Sequence, residues 1–172
     1  DAFLNGHYSI GYQGLVEEKL GITVDKGETR SNWIRRPLRD SQLNYAASDV
    51  EFLIELYIGQ KDSLVKENKL IWLKEEVEFL SSRIYNPLEI IEDTAIELTK
   101  SEEKTLLNKF NEVVLYTAEA QNINPTLFFS KKSQKDFLKL TLDIGLENAL
   151  NKITSWRSEL IEAPISSLLK DF

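Results

Sequence analysis

The chain has no cysteine and no methionine, and its 172 residues include a single histidine, His7. Without cysteine it can form neither disulfides nor thiolate metal sites, so the redox compartment cannot be read and the cytoplasm is the default expectation. One histidine excludes a zinc site built from several imidazoles. Because an initiator methionine is missing too, we expect the chain to be an excerpt of a longer product.

Long apolar segments are missing as well. No run approaches the roughly 20 apolar residues that span a bilayer, and no signal-peptide pattern opens the chain, so we expect no membrane partner. Hydrophobic residues make up 42% of the chain and charged residues 28%, which is close to the globular average. At this length the chain can form one ordinary domain or two small ones.

Acidic residues outnumber basic residues in the whole chain, but basic residues are concentrated in one stretch. The net charge of −7 argues against a protein that binds nucleic acid by bulk attraction. Between residues 26 and 39, however, five basic residues accompany one acid, Glu28. Such a stretch can be a solvated loop, but its place directly before the helix discussed below favours phosphate contact, since arginine binds phosphate oxygens bidentately. The basic residues are Lys26, Arg30, Arg35, Arg36 and Arg39.

Helical spacing dominates the first 60 residues. A short helix is predicted over Tyr12–Leu20, with Gly21 as its stop. A longer helix is capped by Asp40 or Ser41 and is predicted to end at Gly59. Its predicted inward-facing residues are Val50, Leu53, Leu56 and Tyr57.

The remaining sequence is also typical of helices, and no segment alternates as a strand would. Breaks are predicted at Asn86-Pro87 and Asn124-Pro125, and a break or kink is predicted at Pro164. Further helices are predicted over residues 61–82, 99–121, 133–140, 146–150 and 155–169. The apolar residues of the first of these are Leu64, Val65, Trp72, Leu73, Val77 and Leu80. We predict three parts: residues 1–60, a connecting helix over 61–82, and a helical bundle over 83–172.

The pair Tyr45 and Asp49 carries the most specific chemistry. Residues four apart on a helix lie on one face, with Cβ atoms about 5–6 Å apart. A phenol and a carboxylate therefore share a small volume beside Ala46 and Ala47, which leave room for another molecule. The arrangement suits a hydrolytic site in which the carboxylate holds a divalent metal and the phenol orients a water. Alone the pair is a weak signal, because the same spacing occurs on many solvated helices.

The surrounding sequence strengthens that interpretation. From Gly11 to Tyr57 the chain resembles the C-terminal third of the ribonuclease D exonuclease domain, in the DEDD superfamily of 3′–5′ exonucleases. Matches in a fixed order are far more specific than any one of them. They are Gly11, Tyr12, Leu15, Val16, Glu17 and Glu18; then Asp25, Lys26, Arg30, Trp33, Arg36, Pro37 and Leu38; then Gln42, Tyr45, Ala46, Ala47, Asp49 and Val50.

The resemblance implies a fold and a site. The fold class is mainly α for this chain: the C-terminal helical part of a ribonuclease H-like α/β exonuclease domain, followed by a helical bundle. Tyr45 and Asp49 would be the third motif of the tyrosine-bearing subclass, in which the aspartate ligates Mg²⁺ or Mn²⁺ and the tyrosine positions the attacking water. The family's two upstream acidic motifs have no counterpart in this chain. We therefore expect this chain alone to be inactive.

The resemblance also implies a function and partners. We expect a monomeric 3′–5′ exoribonuclease that trims RNA 3′ ends such as those of tRNA precursors, with Lys26, Arg30 and Arg36 contacting RNA. Gln42 could reach substrate or backbone, or be a surface residue. The alternatives are a noncatalytic RNA-binding helical module and a DNA 3′–5′ exonuclease. The alternative to an RNA contact by Arg36 is an ion pair between Arg36 and Glu17 or Glu18.

The second half resembles the helical region after the ribonuclease D exonuclease domain, related to the HRDC (helicase and RNase D C-terminal) domain. The matching residues are Pro125, Leu127, Ser130, Lys131, Lys132 and Gln134, then Ser155, Trp156, Arg157, Glu159, Leu160, Leu168 and Leu169. The likeness covers one such bundle, where bacterial ribonuclease D usually has two. We interpret Trp156 as a core residue and Arg157 as a possible exposed RNA contact. Phe128 and Phe129 are expected in the core rather than stacked on bases.

Overall fold

The computed structural model describes residues 1–6, 10–85 and 99–170. Within those ranges all regular structure is helical and no strand occurs, which confirms the mainly α fold class. The chain divides into two compact units. We call Ser9–Lys66 the small unit, and Asp1–Tyr8 together with Glu67–Phe172 the large unit. In the described part of the chain no helix is long and apolar enough to cross a membrane.

The small unit contains three helices: α1 (Tyr12–Leu20), α2 (Asp40–Glu51) and α3 (Leu53–Lys66). Gly21 follows α1 in the left-handed conformation, at φ 70°, and its N–H donates to the Glu17 carbonyl. This conformation favours glycine because a Cβ would be strained there. The prediction that Gly21 ends the first helix is confirmed.

A small hydrophobic cluster holds the small unit together. Val16, Val24 and Leu56 are buried at its centre, so α1, the following loop and α3 meet there. Tyr12, Leu15, Leu20 and Phe52 pack against the same cluster and are partly buried.

The predicted single helix from residue 40 to Gly59 is wrong. It divides at Phe52, and Gly59 lies inside α3. Glycine costs about 1 kcal/mol relative to alanine inside a helix, and the good helix formers around it outweigh that cost. Of the predicted inward-facing residues only Leu56 is buried. Val50, Leu53 and Tyr57 are exposed.

The predicted connecting helix over residues 61–82 is also wrong. Residues 61–66 belong to α3, and α4 runs separately over Leu70–Tyr85. The chain turns at Asn68, whose φ of 56° is left-handed, a conformation that asparagine tolerates better than most residues. Among the apolar residues predicted for this helix, Leu64 is buried, whereas Val65, Val77 and Leu80 are exposed. The Asn86-Pro87 break lies outside the described residues.

The large unit contains α4 and five further helices. These are α5 (Lys100–Ala120), α6 (Pro125–Phe129), α7 (Lys131–Ile144), α8 (Leu146–Leu150) and α9 (Ser155–Lys170). The sequence places α5 and α8 correctly, and Asn124 caps α6 through its side chain. Helix α7 is longer than predicted at both ends. Helix α9 continues through Pro164 without the predicted break.

The core of the large unit is aromatic. Trp156 is 1% exposed, as predicted for a core residue, and its ring lies 5.3 Å from that of Phe3 and 5.4 Å from that of Trp72. Phe128 and Phe129 are buried, which confirms their assignment to the core. Lys131, Lys132 and Lys135 are exposed around them.

Arg157 is a structural residue, and its predicted exposure to RNA is wrong. Its guanidinium binds both carboxylate oxygens of Glu76, with Nη2 3.0 Å from Oε1 and Nη1 on Oε2. It also donates to the Leu127 and Phe128 carbonyls at 2.7 and 2.8 Å and to the Thr154 hydroxyl at 3.0 Å. The Arg157–Glu76 ion pair therefore links α9 to α4, and Arg157 also supplies hydrogen-bond donors to carbonyls at the end of α6.

Candidate functional site

Helix α2 presents the two residues that the sequence singled out. Tyr45 and Asp49 lie one turn apart on it and are both half-buried, so they are open to solvent and share a face. Ala46 and Ala47 beside them are exposed. The structure thus places this pair at the surface of the small unit.

The Tyr45 hydroxyl is held by the basic loop. Its oxygen lies 3.1 Å from Thr29 Oγ1, and Thr29 itself donates its hydroxyl hydrogen to the Lys26 carbonyl at 2.9 Å. Because that hydrogen is used, Tyr45 is the donor in the Tyr45–Thr29 bond. The phenol oxygen then keeps its acceptor capacity, which a water molecule can use.

A pocket of about 430 Å³ opens beside Tyr45. Polar side chains make up much of its wall, and Asp25 and Glu51 contribute carboxylates. Its lining residues are Ile22, Thr23, Val24, Asp25, Ser41, Asn44, Tyr45, Ser48, Glu51 and Phe52. Asp49 is not among them. The phenol thus borders a cavity large enough for small polar molecules.

The basic loop that precedes α2 is folded by its own hydrogen bonds. Asp25 Oδ1 accepts from the Gly27 N–H at 3.0 Å, and Asn32 Oδ1 accepts from the N–H groups of Ile34 and Arg35 at 3.1 and 3.2 Å. Such aspartate and asparagine turns fix loop backbone. The peptide bond between Arg36 and Pro37 is cis.

Gln42 fastens this loop to the start of α2. It is 3% exposed, and its Oε1 accepts from the Arg39 N–H at 3.1 Å. Its Nε2 donates to Ser31 Oγ at 2.8 Å and to the Asn32 carbonyl at 3.2 Å. Of the options left open by the sequence, the structure shows contact with backbone, and the option of a surface residue is wrong. Direct contact with substrate stays a prediction that its burial does not support.

Glu28 is a second fastening point, one that the sequence analysis treated only as a charge. A hydrogen bond from Ser41 lowers the pKa of its carboxyl, helped by a second from Ser31 and by the charge of Arg39. Arg39 Nη2 lies 2.7 Å from Glu28 Oε2. The Glu28 carbonyl also accepts from the Trp33 indole at 3.1 Å. No sequence pattern signals this role, because it depends on a fold of the loop that brings Arg39 and Ser41 back to Glu28.

The other predicted nucleic-acid contacts sit on the surface of the loop. Lys26, Arg30 and Arg36 are exposed. Arg36 Nη1 donates to the Trp33 and Arg35 carbonyls at 2.7 and 3.1 Å, so the alternative ion pair with Glu17 or Glu18 is not the arrangement found. Trp33 packs against Tyr45, with ring centroids 5.8 Å apart. The exposed basic residues thus lie on the loop that precedes α2, and Tyr45 lies on α2 itself.

The described residues do not by themselves form a metal site. Nowhere in ranges 1–6, 10–85 and 99–170 do three or more histidine, cysteine, aspartate or glutamate side chains cluster so as to hold an ion. Asp49 is a single carboxylate, and a magnesium or manganese site draws on several oxygen ligands. No chemical step through a metal is therefore derived from this geometry.

Part of this chain is similar to known nucleases. Residues 2–61 match the family model described as 3′–5′ exonuclease. A stretch of 73 residues is 51% identical to ribonuclease D of Shewanella sp. (strain ANA-3), which covers 42% of this chain and 19% of that protein. Over part of its length this chain is therefore similar to 3′–5′ exonucleases and to ribonuclease D.

Other ribonuclease D relatives match over similar stretches. The protein of Xanthomonas oryzae pv. oryzae is 47% identical over 75 residues, which is 44% of this chain and 21% of that protein. That of Haemophilus influenzae is 51% identical over 64 residues, or 37% of this chain and 16% of that protein. The matching region thus spans about a fifth of the length of these relatives. No solved structure matches.

Proposed function

We propose that the protein containing this chain is a metal-dependent 3′–5′ exoribonuclease that releases nucleoside 5′-monophosphates. The observation that carries the proposal is the turn of α2 that presents Tyr45 and Asp49 together, inside the segment that matches 3′–5′ exonucleases. Both side chains are reachable from solvent. The ribonuclease D names of the relatives favour RNA over DNA as the substrate.

The two side chains have different roles in this proposal. Asp49 supplies one oxygen ligand to a magnesium or manganese ion, which polarises the phosphate when bound. The remaining ligands come from parts of the protein outside these 172 residues. Tyr45 offers its phenol oxygen to the attacking water while its proton is held by Thr29. Such fixed orientation of a reactant can lower a barrier substantially.

The basic loop contributes phosphate contacts. Lys26 and Arg30 are exposed, and no ion pair is recorded for them among the described residues. Arg36 keeps N–H groups besides those that its Nη1 donates to backbone carbonyls. Gln42 acts by holding the loop against α2 rather than by touching RNA. The local positive charge offsets an acidic protein at the place where a phosphate chain would approach.

The wider assignment is also a proposal. RNA 3′ ends such as those of tRNA precursors are the substrate, and the protein works as a monomer. The large unit is an HRDC-like helical domain, which its aromatic core and short helices support. Phe128 and Phe129 are buried and the Arg157 guanidinium is bound to Glu76, so these three residues do not support the alternative in which this unit supplies the RNA binding.

The decisive experiment compares Asp49→Asn with wild type in the full-length protein. The assay follows single-nucleotide shortening of a 5′-labelled RNA with and without Mg²⁺ or Mn²⁺, and of the matching DNA. We expect Asp49→Asn to abolish turnover with an unchanged circular dichroism spectrum, because a ligand oxygen is lost while shape is kept. Asp62→Asn, an exposed aspartate of α3, is the matched control and should be fully active. Retained activity in Asp49→Asn would refute the assignment.

A second variant separates the roles of the two residues. Tyr45→Phe should lower kcat by roughly 10²-fold through loss of water orientation while direct Mn²⁺ binding stays within about twofold of wild type. Tyr57→Phe removes a hydroxyl from an exposed tyrosine and should leave both quantities unchanged. Equal losses in metal binding from Tyr45→Phe and Asp49→Asn would contradict the division of roles.

A further inference from the structure

The hydroxyl of Tyr12 is inserted into the backbone at the end of α2. It donates to the Ser48 carbonyl at 2.8 Å, and its oxygen accepts from the Phe52 N–H at 3.2 Å. Ser48 and Phe52 are four residues apart, so in an uninterrupted helix that N–H would donate to that carbonyl directly. The phenol oxygen stands between the two groups.

This insertion coincides with the break between two helices. Helix α2 ends at Glu51 and α3 begins at Leu53, with Phe52 at φ −99° and ψ 3°. A side chain that enters the hydrogen-bond ladder is one of the recognised causes of a helix break. Neither proline nor glycine lies between Asp40 and Ile58, so the usual residue causes do not apply at this position.

The affected turn contains Asp49. Ser48 precedes it and Phe52 follows it, so the phenol binds backbone groups on both sides of the carboxylate residue. Ser48 and Phe52 also line the pocket beside Tyr45. Whatever fixes these two backbone groups also fixes the direction in which the last turn of α2 points its side chains.

The Tyr12 ring is held in place by packing. It lies against the buried cluster of Val16, Val24 and Leu56, and it is the first residue of α1. A phenol has few rotatable bonds, so a packed ring delivers its hydroxyl to one place. Helix α1 thereby contacts the backbone at the end of α2 through a single oxygen atom.

We propose that Tyr12 is a positioning residue, whose hydroxyl ends α2 after Asp49 and so orients the Asp49 carboxylate toward the divalent cation that it would bind. This inference rests on the proposed exonuclease function. It assigns to Tyr12 a role that acts through another residue, without contact with RNA. Displacement of a reacting group by about 1 Å can cost 10²-fold in rate, so a change in this turn should be visible in catalysis.

The test is Tyr12→Phe in the full-length protein, which keeps the ring in its cluster and removes only the inserted oxygen. Without it, Phe52 N–H can bond Ser48 directly and α2 can run on into α3. We expect kcat to fall about tenfold or more, with KM for RNA within about twofold. Direct Mn²⁺ binding, measured by calorimetry without RNA, should weaken, and amide hydrogen exchange at residues 50–54 should change.

Two controls separate positioning from stability. Tyr116→Phe removes a hydroxyl from a tyrosine that is 77% exposed and should match wild type in every measurement. Leu15→Ala removes packing from the same cluster but leaves the inserted oxygen, so it should lower Tm while kcat and Mn²⁺ binding stay near wild type. Rates are compared at a temperature at which circular dichroism shows all variants folded.

The outcomes distinguish this inference from the function on which it rests. If wild type has no metal-dependent exonuclease activity, the proposed function fails and the inference fails with it. If wild type is active and Tyr12→Phe equals it in kcat and Mn²⁺ binding, only the inference is overturned. If Leu15→Ala loses kcat as strongly as Tyr12→Phe, the hydroxyl has no special role and the inference is likewise overturned.

Discussion

Glu76→Gln is the sharpest test of how the large unit is held together. Glu76 and Arg157 are nearly buried, with side chains 10% and 12% exposed. The substitution keeps the size and shape of the side chain but removes its charge. The Arg157 guanidinium then remains buried with its carbonyl and hydroxyl partners but without a counter-ion.

The expected loss follows from the burial of the pair. Removing one partner of a buried ion pair costs about 3–5 kcal/mol. Glutamine can still accept one hydrogen bond from Arg157, so we expect the lower part of that range, about 3 kcal/mol. With an unfolding entropy of roughly 2 cal/mol/K per residue, that loss lowers Tm by about 8–12 °C.

The assay is thermal and urea unfolding of this chain, followed by circular dichroism and tryptophan fluorescence. Trp72 and Trp156 report directly on the α4 and α9 contact, because their rings stack 5.4 Å apart. The control is Glu103→Gln, whose partner Lys135 lies 3.2 Å away in a pair that is 45% and 62% exposed. Exposed pairs contribute about 0–1 kcal/mol. Equal small losses from both variants would refute the view that the buried pair fastens α4.

Three further predictions concern the small unit and α5. Gln42→Glu sets a carboxylate against the Asn32 carbonyl in place of an N–H donor, so urea unfolding should show a loss of about 1–3 kcal/mol; an unchanged midpoint would contradict this. The hydrogen bond from Ser41 lowers the folded pKa of Glu28, so the stabilising contribution of Glu28 is full above the unfolded value and is lost as pH falls through the lowered pKa. Stability measured from pH 6 to pH 3 should therefore fall less steeply in Glu28→Gln than in wild type. Thr99→Ala removes the cap that accepts from the Glu102 N–H at 3.3 Å and should cost about 1 kcal/mol in thermal unfolding; no change would show that α5 does not depend on this cap.

Local features of the sequence predicted much of the helical content. Gly21 stops α1 as predicted, and the predicted break at Asn124-Pro125 is where Asn124 caps α6, because both effects involve backbone groups within a few residues. The extent of the larger helices was harder to predict. A helix end was predicted at Gly59 and a break or kink at Pro164, yet both residues lie inside helices. Packing and neighbouring helix formers outweigh a single unfavourable residue.

For the candidate site, too, the local sequence predicted some features, whereas others depend on tertiary contacts. The spacing of Tyr45 and Asp49 places them on one helical face without reference to the rest of the fold, and the structure keeps them there. Whether a polar residue is buried or free cannot be read locally. For Gln42 the sequence left contact with substrate, contact with backbone and a surface position open, and the structure shows it bonded to Ser31 and Asn32. Arg157 likewise is bonded to Glu76.

By itself the sequence determined most of the helical segments, which residues share a face of α2, and a resemblance to part of ribonuclease D. Only the tertiary structure decided where α2 ends, because the hydroxyl that divides it belongs to Tyr12, 36 residues before Ser48. The physical reason is one of range. Caps and helical periodicity act over a few residues of chain, whereas an inserted hydroxyl or a buried ion pair exists only once distant segments have packed together.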